Sequence, residues 1–242
     1  MERYPSDKLQ KILNDFQANI GVKGNVKNLI FAANGPKPEL ILSDAVNNDI
    51  AIVKNAEYCL VYDFPIPEAG LLWENLVEWW AKKNNLDFPC DSTEFNLFHR
   101  LKESLSPGPE CFLFDTYFKH FRRELGKQFP ALIPQVYLHY DPKTIKELKD
   151  GKRLARQRMD FLILFSNQSR VVIEVDGKQH YAESNTASPQ KYAEMVAADR
   201  QLRLSGYEIY RFGGYELNGA NGELLVVSFF DKLFHNHGII GT

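Results

Sequence analysis

The stretch that decides the fold reads RMDFLILFSNQSRVVIEVDGKQH and covers residues 158–180. It contains two runs of apolar and β-branched residues, 159–165 and 170–176, which are typical of buried strands. The polar residues 166–169 between them form a short turn. The stretch therefore predicts a β-hairpin whose second strand ends in charged residues.

Segments with helical periodicity surround this hairpin. The pattern predicts helices over 112–125, 188–204 and 223–235, and further strands over 136–140 and 207–212. Strands that alternate with helices pack as a sheet with helices on its faces. We therefore expect an α/β fold with a small central sheet.

The first part of the chain also combines helical and strand patterns. The predicted elements are helices over 6–19 and 71–82 and strands over 26–33, 39–42 and 58–64. The stretches 87–92 and 104–109 are rich in turn-forming residues. We therefore predict two domains, a smaller α/β domain over 1–90 and a second domain over 106–242.

Composition excludes several classes of protein. The 242 residues are 44% apolar and 25% charged, with a net charge of −2, which is typical of a soluble globular chain and not of a disordered one. No apolar run approaches the ~18 residues of a membrane helix, and residues 1–7 carry charges, so we expect no membrane segment and no secretory signal. The three cysteines form no CxxC pair, which argues against a zinc site or a disulfide framework. The expected location is the cytoplasm, where thiols stay reduced.

Charged side chains collect at the end of the predicted hairpin. Successive side chains of a strand point to opposite faces, so Glu174 and Asp176 share a face, and Lys178 and His180 lie near it if the chain stays extended. The hairpin brings Asp160 across from them. Three carboxylates in one place repel one another, and a divalent cation removes that cost. An oxygen-only ligand set with room for water and phosphate favours Mg²⁺, with Mn²⁺ as a substitute.

A basic segment precedes the hairpin. Residues 143–158 contain seven Lys or Arg against two acidic residues, which favours contact with a polyanion. When such a charge run is taken alone, a solvated helix face or loop is the better explanation. The candidate nucleic-acid-binding residues are Lys149, Lys152, Arg153, Arg156, Arg158 and Arg211.

These residues resemble the PD-(D/E)XK nuclease superfamily. Asp160 together with the segment EVDGKQH at 174–180 is similar to the very-short-patch-repair-like endonuclease branch, in which an ExDGxxH segment ends the strand. The acidic–basic pair at 199–200 and the sequence YRF at 210–212 match further features of that branch. The resemblance covers roughly residues 106–235.

The resemblance implies a restriction-endonuclease-like fold, with a central mixed sheet flanked by helices, and metal-dependent hydrolysis of phosphodiester bonds. It implies that Asp160 and Glu174 ligate the metal and that Lys178 orients water or stabilises developing charge. Asp176 is either a further metal ligand or the acidic member of a D-x-K motif with Lys178. His180 contacts phosphate or acts as general acid to the leaving oxygen.

Two features depart from the superfamily pattern. Met159 stands where the superfamily name has proline. The lysine lies two residues after Asp176 and not two residues after Glu174, so both registers of the motif stay open. The superfamily commonly has an acidic residue on an upstream helix, and Glu110 and Glu124 are both candidates.

Five short segments carry a second resemblance in the first part of the chain. They are VKNLIFAA at 26–33, GPKPE at 35–39, NDI at 48–50, CLVYD at 59–63 and GLLW at 70–73. Together they resemble the N-terminal domain of AbiJ-type abortive-infection proteins of bacteria. This resemblance implies a setting in anti-phage defence, where the first part senses, recruits or oligomerises and the second part cuts.

The sequence thus predicts a Mg²⁺-dependent endonuclease that acts on DNA rather than RNA. The expected partners are nucleic acid and either a second copy of the chain or a partner protein of a defence system, with no membrane. Two alternatives stay open. One is a non-catalytic nucleic-acid-binding or interaction protein on a nuclease fold, and the other is an RNase on the same scaffold.

Overall fold

A computed structural model describes residues 29–44, 49–138, 157–166, 168–177, 182–183 and 186–240. Its strands are β1 (Leu29–Phe31), β2 (Glu39–Asp44), β3 (Asp49–Lys54), β4 (Leu60–Tyr62), β5 (Ile133–Leu138), β6 (Gln157–Leu164), β7 (Arg170–Asp176), β8 (Ala182–Glu183), β9 (Thr186–Ala187) and β10 (Glu208–Gly213). Its α-helices are α1 (Trp73–Asn84), α2 (Asp91–Lys102), α3 (Pro109–Leu125), α4 (Pro189–Leu204) and α5 (Gly219–Asn236). A short 3₁₀ helix spans Ala56–Tyr58.

Six of these strands form one mixed sheet in the order β10-β7-β6-β5-β1-β4. β10 runs parallel to β7, and the other neighbouring strands are antiparallel. The five α-helices flank the sheet, which confirms the predicted α/β class. None of the helices in the described ranges is both long and apolar enough to span a bilayer.

The predicted hairpin is formed by β6 and β7. Their pairing runs from Leu164–Arg170 beside the turn to Phe161–Ile173. After β7 the chain crosses over through α4 and returns as β10, parallel to β7. The carboxyl ends of β7 and β10 therefore meet at one edge of the sheet, where Glu174 and Asp176 lie.

Aromatic contacts attach α3 to the sheet and to α5. Phe114 of α3 stacks on Phe161 of β6, with ring centroids 6.3 Å apart. Tyr117 of α3 meets Phe230 of α5 edge to face at 4.5 Å. All four side chains are buried, so α3, α5 and the hairpin share one apolar core.

Helix α2 is the main element that the sequence did not predict, since it begins inside one of the turn-rich stretches. Its Glu94 is fully buried. The Glu94 carboxylate accepts hydrogen bonds from Trp73 Nε1 of α1 at 2.9 Å and from Arg122 of α3 at 2.9 and 3.0 Å, and Lys127 Nζ lies 3.3 Å away. A carboxylate that binds two other helices makes α2 part of the core.

The first and last parts of the chain are joined through the sheet. Strand β1 pairs with β5 at Ile30–Tyr137. Arg100 of α2 donates to the carbonyl oxygens of Ala32 at 2.9 Å and Tyr58 at 3.0 Å, which ties α2 to the β1 end of the sheet. In the described residues, the segments predicted as two domains share one sheet and one hydrophobic core.

Other differences concern element ends. The predicted strand over 58–64 is shortened to β4 because the chain turns into a 3₁₀ helix at Asn55, whose φ of 62° is left-handed. The predicted helices of the last part all form, and Ser188 caps α4 by accepting the Lys191 N–H, as its sequence position suggests. The predicted helix over 6–19 lies outside the described residues.

Glu94→Gln tests whether the buried carboxylate holds α2 in place. The substitution keeps the size of the side chain but removes the charge that faces Arg122 and Lys127, so we expect the free energy of unfolding to fall by about 3–5 kcal/mol. Asp91→Asn is the matched control, because Asp91 contacts the same two cations but its side chain is 71% exposed. Its loss should stay below about 1 kcal/mol. Urea denaturation followed by tryptophan fluorescence measures both, and equal losses would contradict the assignment.

Candidate active site

Asp160 and Glu174 lie next to each other where the β6–β7 pairing ends. The last paired residues are Phe161 and Ile173, so Asp160 and Glu174 occupy the next position on each strand. Asp160 is only 5% exposed, and its Oδ2 accepts the backbone N–H of Val175 at 3.0 Å. The side chain of Asp160 thus takes the place of a further ladder hydrogen bond and brings its carboxylate beside Glu174.

Arg211 of β10 completes the cluster. In the parallel pairing of β10 and β7, Arg211 stands beside Glu174, and Gly213 stands beside Asp176. The guanidinium donates to both oxygens of Asp199 on α4, at 3.0 and 2.8 Å, and makes a short ion pair with Asp176. Arg211 therefore joins β7, β10 and α4 at the carboxyl edge of the sheet.

Among the described residues, the carboxylates of the cluster outnumber Arg211 and Arg158. Burial is the main cause, and the charge of Asp160 the second, of a rise in the pKa of Glu174 to about 8, which the charge of Arg211 opposes. The pKa of Arg211 is also raised. Burial alone would lower it, but the hydrogen bonds to Asp199 and the charges of Asp176 and Asp199 outweigh that effect. The guanidinium of Arg211 thus binds Asp176 and Asp199 directly, and it only partly offsets the rise in the pKa of Glu174.

The structure distinguishes the two candidate acids on the upstream helix. Glu110 lies at the start of α3 and is buried, and its Oε2 accepts hydrogen bonds from Gln135 Nε2 at 2.8 Å and from Ser106 N–H at 3.0 Å. Pro109 beside it lies against Gly214, at the edge where Asp176 ends β7.

Glu124 is exposed near the other end of α3 and pairs only with its neighbour Arg123 among the contacts of the described residues. Glu110 is therefore the candidate near the site.

Several predicted site residues lie outside the described part of the chain. They are Lys178, His180, Lys149, Lys152, Arg153 and Arg156. Arg158 is described and exposed, and its Nη2 lies 3.8 Å from Asp160 Oδ1, so it adds positive charge at the rim of the site. Arg211 is committed to Asp176 and Asp199, and its contact with nucleic acid stays a prediction.

The carboxylate pair fits one binding mode of Mg²⁺. Within the described ranges, no three His, Cys, Asp or Glu side chains are arranged to hold a metal ion. Asp176 is turned to Arg211, so Asp160 and Glu174 are the two carboxylates that we consider as ligands in this conformation. Mg²⁺ is commonly held by one or two carboxylates, with water and substrate phosphate as the remaining ligands. The two oxygens match that mode, and the role of Asp176 as a third ligand stays a prediction.

Two polar residues beside this cluster were not singled out as site residues from the sequence. Asp199 was noted only as part of a helix pattern, although a strand arginine and a helix aspartate at the same sheet edge are a natural ion pair. Gln135 lies within β5 and is 1% exposed. A polar residue inside the apolar run LIPQVYL, 132–138, was a signal that could have found it.

Comparison with known proteins returned no match: no protein-family model, no curated protein and no solved structure is similar to the chain. The function is therefore argued from the geometry of this cluster.

Glu174→Gln tests whether the pKa of Glu174 is raised in the folded protein. A carboxyl whose pKa rises on folding, here from an ordinary 4.5 to about 8, binds its proton more tightly in the folded state, so stability falls as pH rises between these values. Glutamine removes this loss. We expect Glu174→Gln to match the wild type near pH 4.5 and to exceed it by a few kcal/mol at pH 8.5, at about 1.4 kcal/mol per pH unit.

Urea denaturation at both pH values measures the difference. Glu124→Gln is the control, because this exposed carboxyl should give the same small effect at both pH values. A stability gain of Glu174→Gln that does not change with pH would contradict the raised pKa.

Proposed function

We propose that this chain is a metal-dependent nuclease that hydrolyses phosphodiester bonds, with DNA as its substrate. The observation that carries the proposal is the pairing of Asp160 and Glu174, two adjacent carboxylates at the end of two apolar strands, where burial and the charge of Asp160 raise the pKa of Glu174. Such a pair has a cost that a bound divalent cation removes. Sites that combine strained carboxylates with nearby cationic groups are candidates for catalysis.

Asp160 and Glu174 would hold Mg²⁺ or Mn²⁺ through their carboxylate oxygens. When bound, the cation supplies an activated water and stabilises charge on the phosphoryl oxygens. The hydrogen bond from Val175 N–H fixes the orientation of the Asp160 carboxylate. Arg211 pairs with Asp176 and Asp199 and partly neutralises their charges, which reduces their repulsion of Asp160 and Glu174. Lys178 comes two residues after the end of β7 in the sequence and is proposed to orient the attacking water.

The order of elements supports a restriction-endonuclease-like fold as part of this proposal. A helix, α3, precedes an antiparallel sheet segment of β5, β6 and β7, and the crossover through α4 leads to β10. The candidate residues Asp160 and Glu174 lie on the two central strands of that unit. Arg158 at the rim and the basic residues before it supply the positive charge that a phosphate backbone needs.

A second candidate function is non-catalytic binding of nucleic acid on the same scaffold. The ion pairs of Arg211 with Asp176 and Asp199 favour it, because they neutralise part of the carboxylate cluster without a metal. A binding protein would show no metal-dependent turnover and no Mn²⁺ site that depends on Asp160. An RNase on the same scaffold is distinguished from a DNA nuclease by which of the two nucleic acids it cleaves.

A cleavage assay tests the nuclease. Purified protein is mixed with supercoiled plasmid, linear duplex DNA, single-stranded DNA and RNA, each with Mg²⁺, Mn²⁺ or EDTA. We expect metal-dependent cleavage of DNA that falls about 100-fold or more in Asp160→Asn and Glu174→Gln, because each removes a charged oxygen from the cation.

Glu124→Gln is the matched control and should cut as the wild type does. Equal cleavage by the wild type and both site variants would refute the assignment. Cleavage of RNA alone would identify the RNase, and metal-independent binding without cleavage would identify the binding protein.

The cellular setting that we propose is anti-phage defence, on the strength of the resemblance in residues 26–73. We expect bacteria that express the wild-type chain, alone or with its genetic neighbours, to give fewer plaques with some phages of a panel. Glu174→Gln should lose this protection, and Glu124→Gln should keep it. Protection that survives Glu174→Gln would show that the defence does not depend on the carboxylate pair.

A further inference from the structure

Gln135 is an anomaly in the middle of β5. Its neighbours Pro134 and Val136 pair with Phe161 and Met159, so Gln135 lies at the level of Asp160 on the adjacent strand. Its φ of 52° is left-handed, a conformation that costs about 1–3 kcal/mol for a residue with a side chain. The surrounding structure holds this residue in a conformation that a strand does not require.

The amide of Gln135 is only half satisfied. Its Nε2 donates to Glu110 Oε2 at 2.8 Å, and because Glu110 is itself held by Ser106 N–H, the orientation of the amide is set. Its Oε1 is buried and has no hydrogen-bond partner among the residues that the structure describes. A buried carbonyl oxygen without a partner costs about 1–3 kcal/mol, and folded proteins rarely leave one in place without a reason.

The unpartnered oxygen needs a ligand of a particular kind. An amide oxygen offers lone pairs only, so its partner must be a cation or a group that donates a proton. The nearest site residue along the sheet is Asp160, whose carboxylate also offers lone pairs only. Two acceptors on adjacent strands are compatible when a cation, or a water bound to a cation, satisfies both.

We propose that Gln135 Oε1 is the third protein oxygen of the cation site formed by Asp160 and Glu174, bound to the cation directly or through one of its waters. This inference rests on the proposed metal-dependent function. With Gln135 as a ligand, Asp176 does not have to bind the cation and can remain paired with Arg211. A neutral amide oxygen also adds a ligand without adding repulsion. Amide and carboxylate oxygens are both suitable for Mg²⁺. Glu110 is then a positioning residue, because it orients the amide through Nε2.

The test is the Mn²⁺ affinity of the full-length chain, measured by calorimetry and by electron paramagnetic resonance without nucleic acid. Gln135→Met keeps the length of the side chain and removes the oxygen, and we expect the dissociation constant to rise about 10- to 100-fold. A double variant, Gln135→Glu with Glu110→Gln, exchanges the two groups and preserves their mutual hydrogen bond. It should bind Mn²⁺ at least as tightly as the wild type.

Thermal melts with and without Mn²⁺ separate ligation from folding. A residue with a structural role alone would lower the melting temperature equally in both conditions and leave the Mn²⁺ affinity of the folded protein unchanged, and that result would overturn the inference. If Gln135→Met does not fold, the exchange variant decides: affinity at or above the wild type supports the inference, and a tenfold loss overturns it.

The outcome for the proposed function is read from Asp160→Asn in the same experiment. Mn²⁺ binding that is lost in Asp160→Asn but unchanged in Gln135→Met refutes only the role of Gln135. A wild type that binds no Mn²⁺ refutes the metal site as a whole. Glu124→Gln should bind as the wild type does in either case.

Discussion

The interaction on which the site depends is the contact of one guanidinium with three structural elements. Arg211 of β10 binds Asp199 of α4 through both carboxylate oxygens and pairs with Asp176 at the end of β7. These contacts fix the helix against the edge of the sheet where the parallel strands end. Without them, Asp176 and Asp199 would lose the cation that they share in the described residues, and the partly buried carboxylates at this edge would be destabilised. Charge compensation and geometry are therefore supplied by the same side chain.

Arg211 compensates the negative charge of the cluster only in part, and the effect of this shortfall is seen at Glu174. Among the described residues its carboxylate makes no hydrogen bond or ion pair, and its pKa rises to about 8. The strands themselves create this position. Their pairing ends one residue earlier, where the Asp160 side chain accepts the Val175 N–H in place of a ladder bond. The end of the hairpin thus leaves two acidic side chains facing each other at the border between an apolar core and solvent, where a small cation can reach them.

The parts of this site that the sequence predicted are the local ones. The alternation of side chains along β7 placed Glu174 and Asp176 on one face, and the short turn placed Asp160 opposite, because both depend on residues close in the chain. The pair of Arg211 with Asp199 depends on how α4 packs on the sheet, so the arginine was assigned to nucleic acid from sequence. Glu94 was missed for the same reason, since its burial depends on Trp73 and Arg122 from other helices. Gln135 was hidden because Pro134 disfavours a strand and the predicted strand began after it.

The choice between the two registers of the motif depends on which carboxylate already has an ion-pair partner. If Asp176 and Lys178 formed the functional acidic–basic motif, Asp176 would have to leave Arg211 before it could bind a cation. The ion pair between Arg211 and Asp176 would then be lost, and Arg211 would keep only its contact with Asp199. If Glu174 is the functional acid, no existing ion pair has to break, since its carboxylate is the one without a partner in the described structure. A cation that binds Glu174 also relieves the repulsion with Asp160, so binding energy and relief of strain act together. If the chain has the proposed function, Glu174 is therefore the working acid, and Asp176 anchors Arg211 beside it.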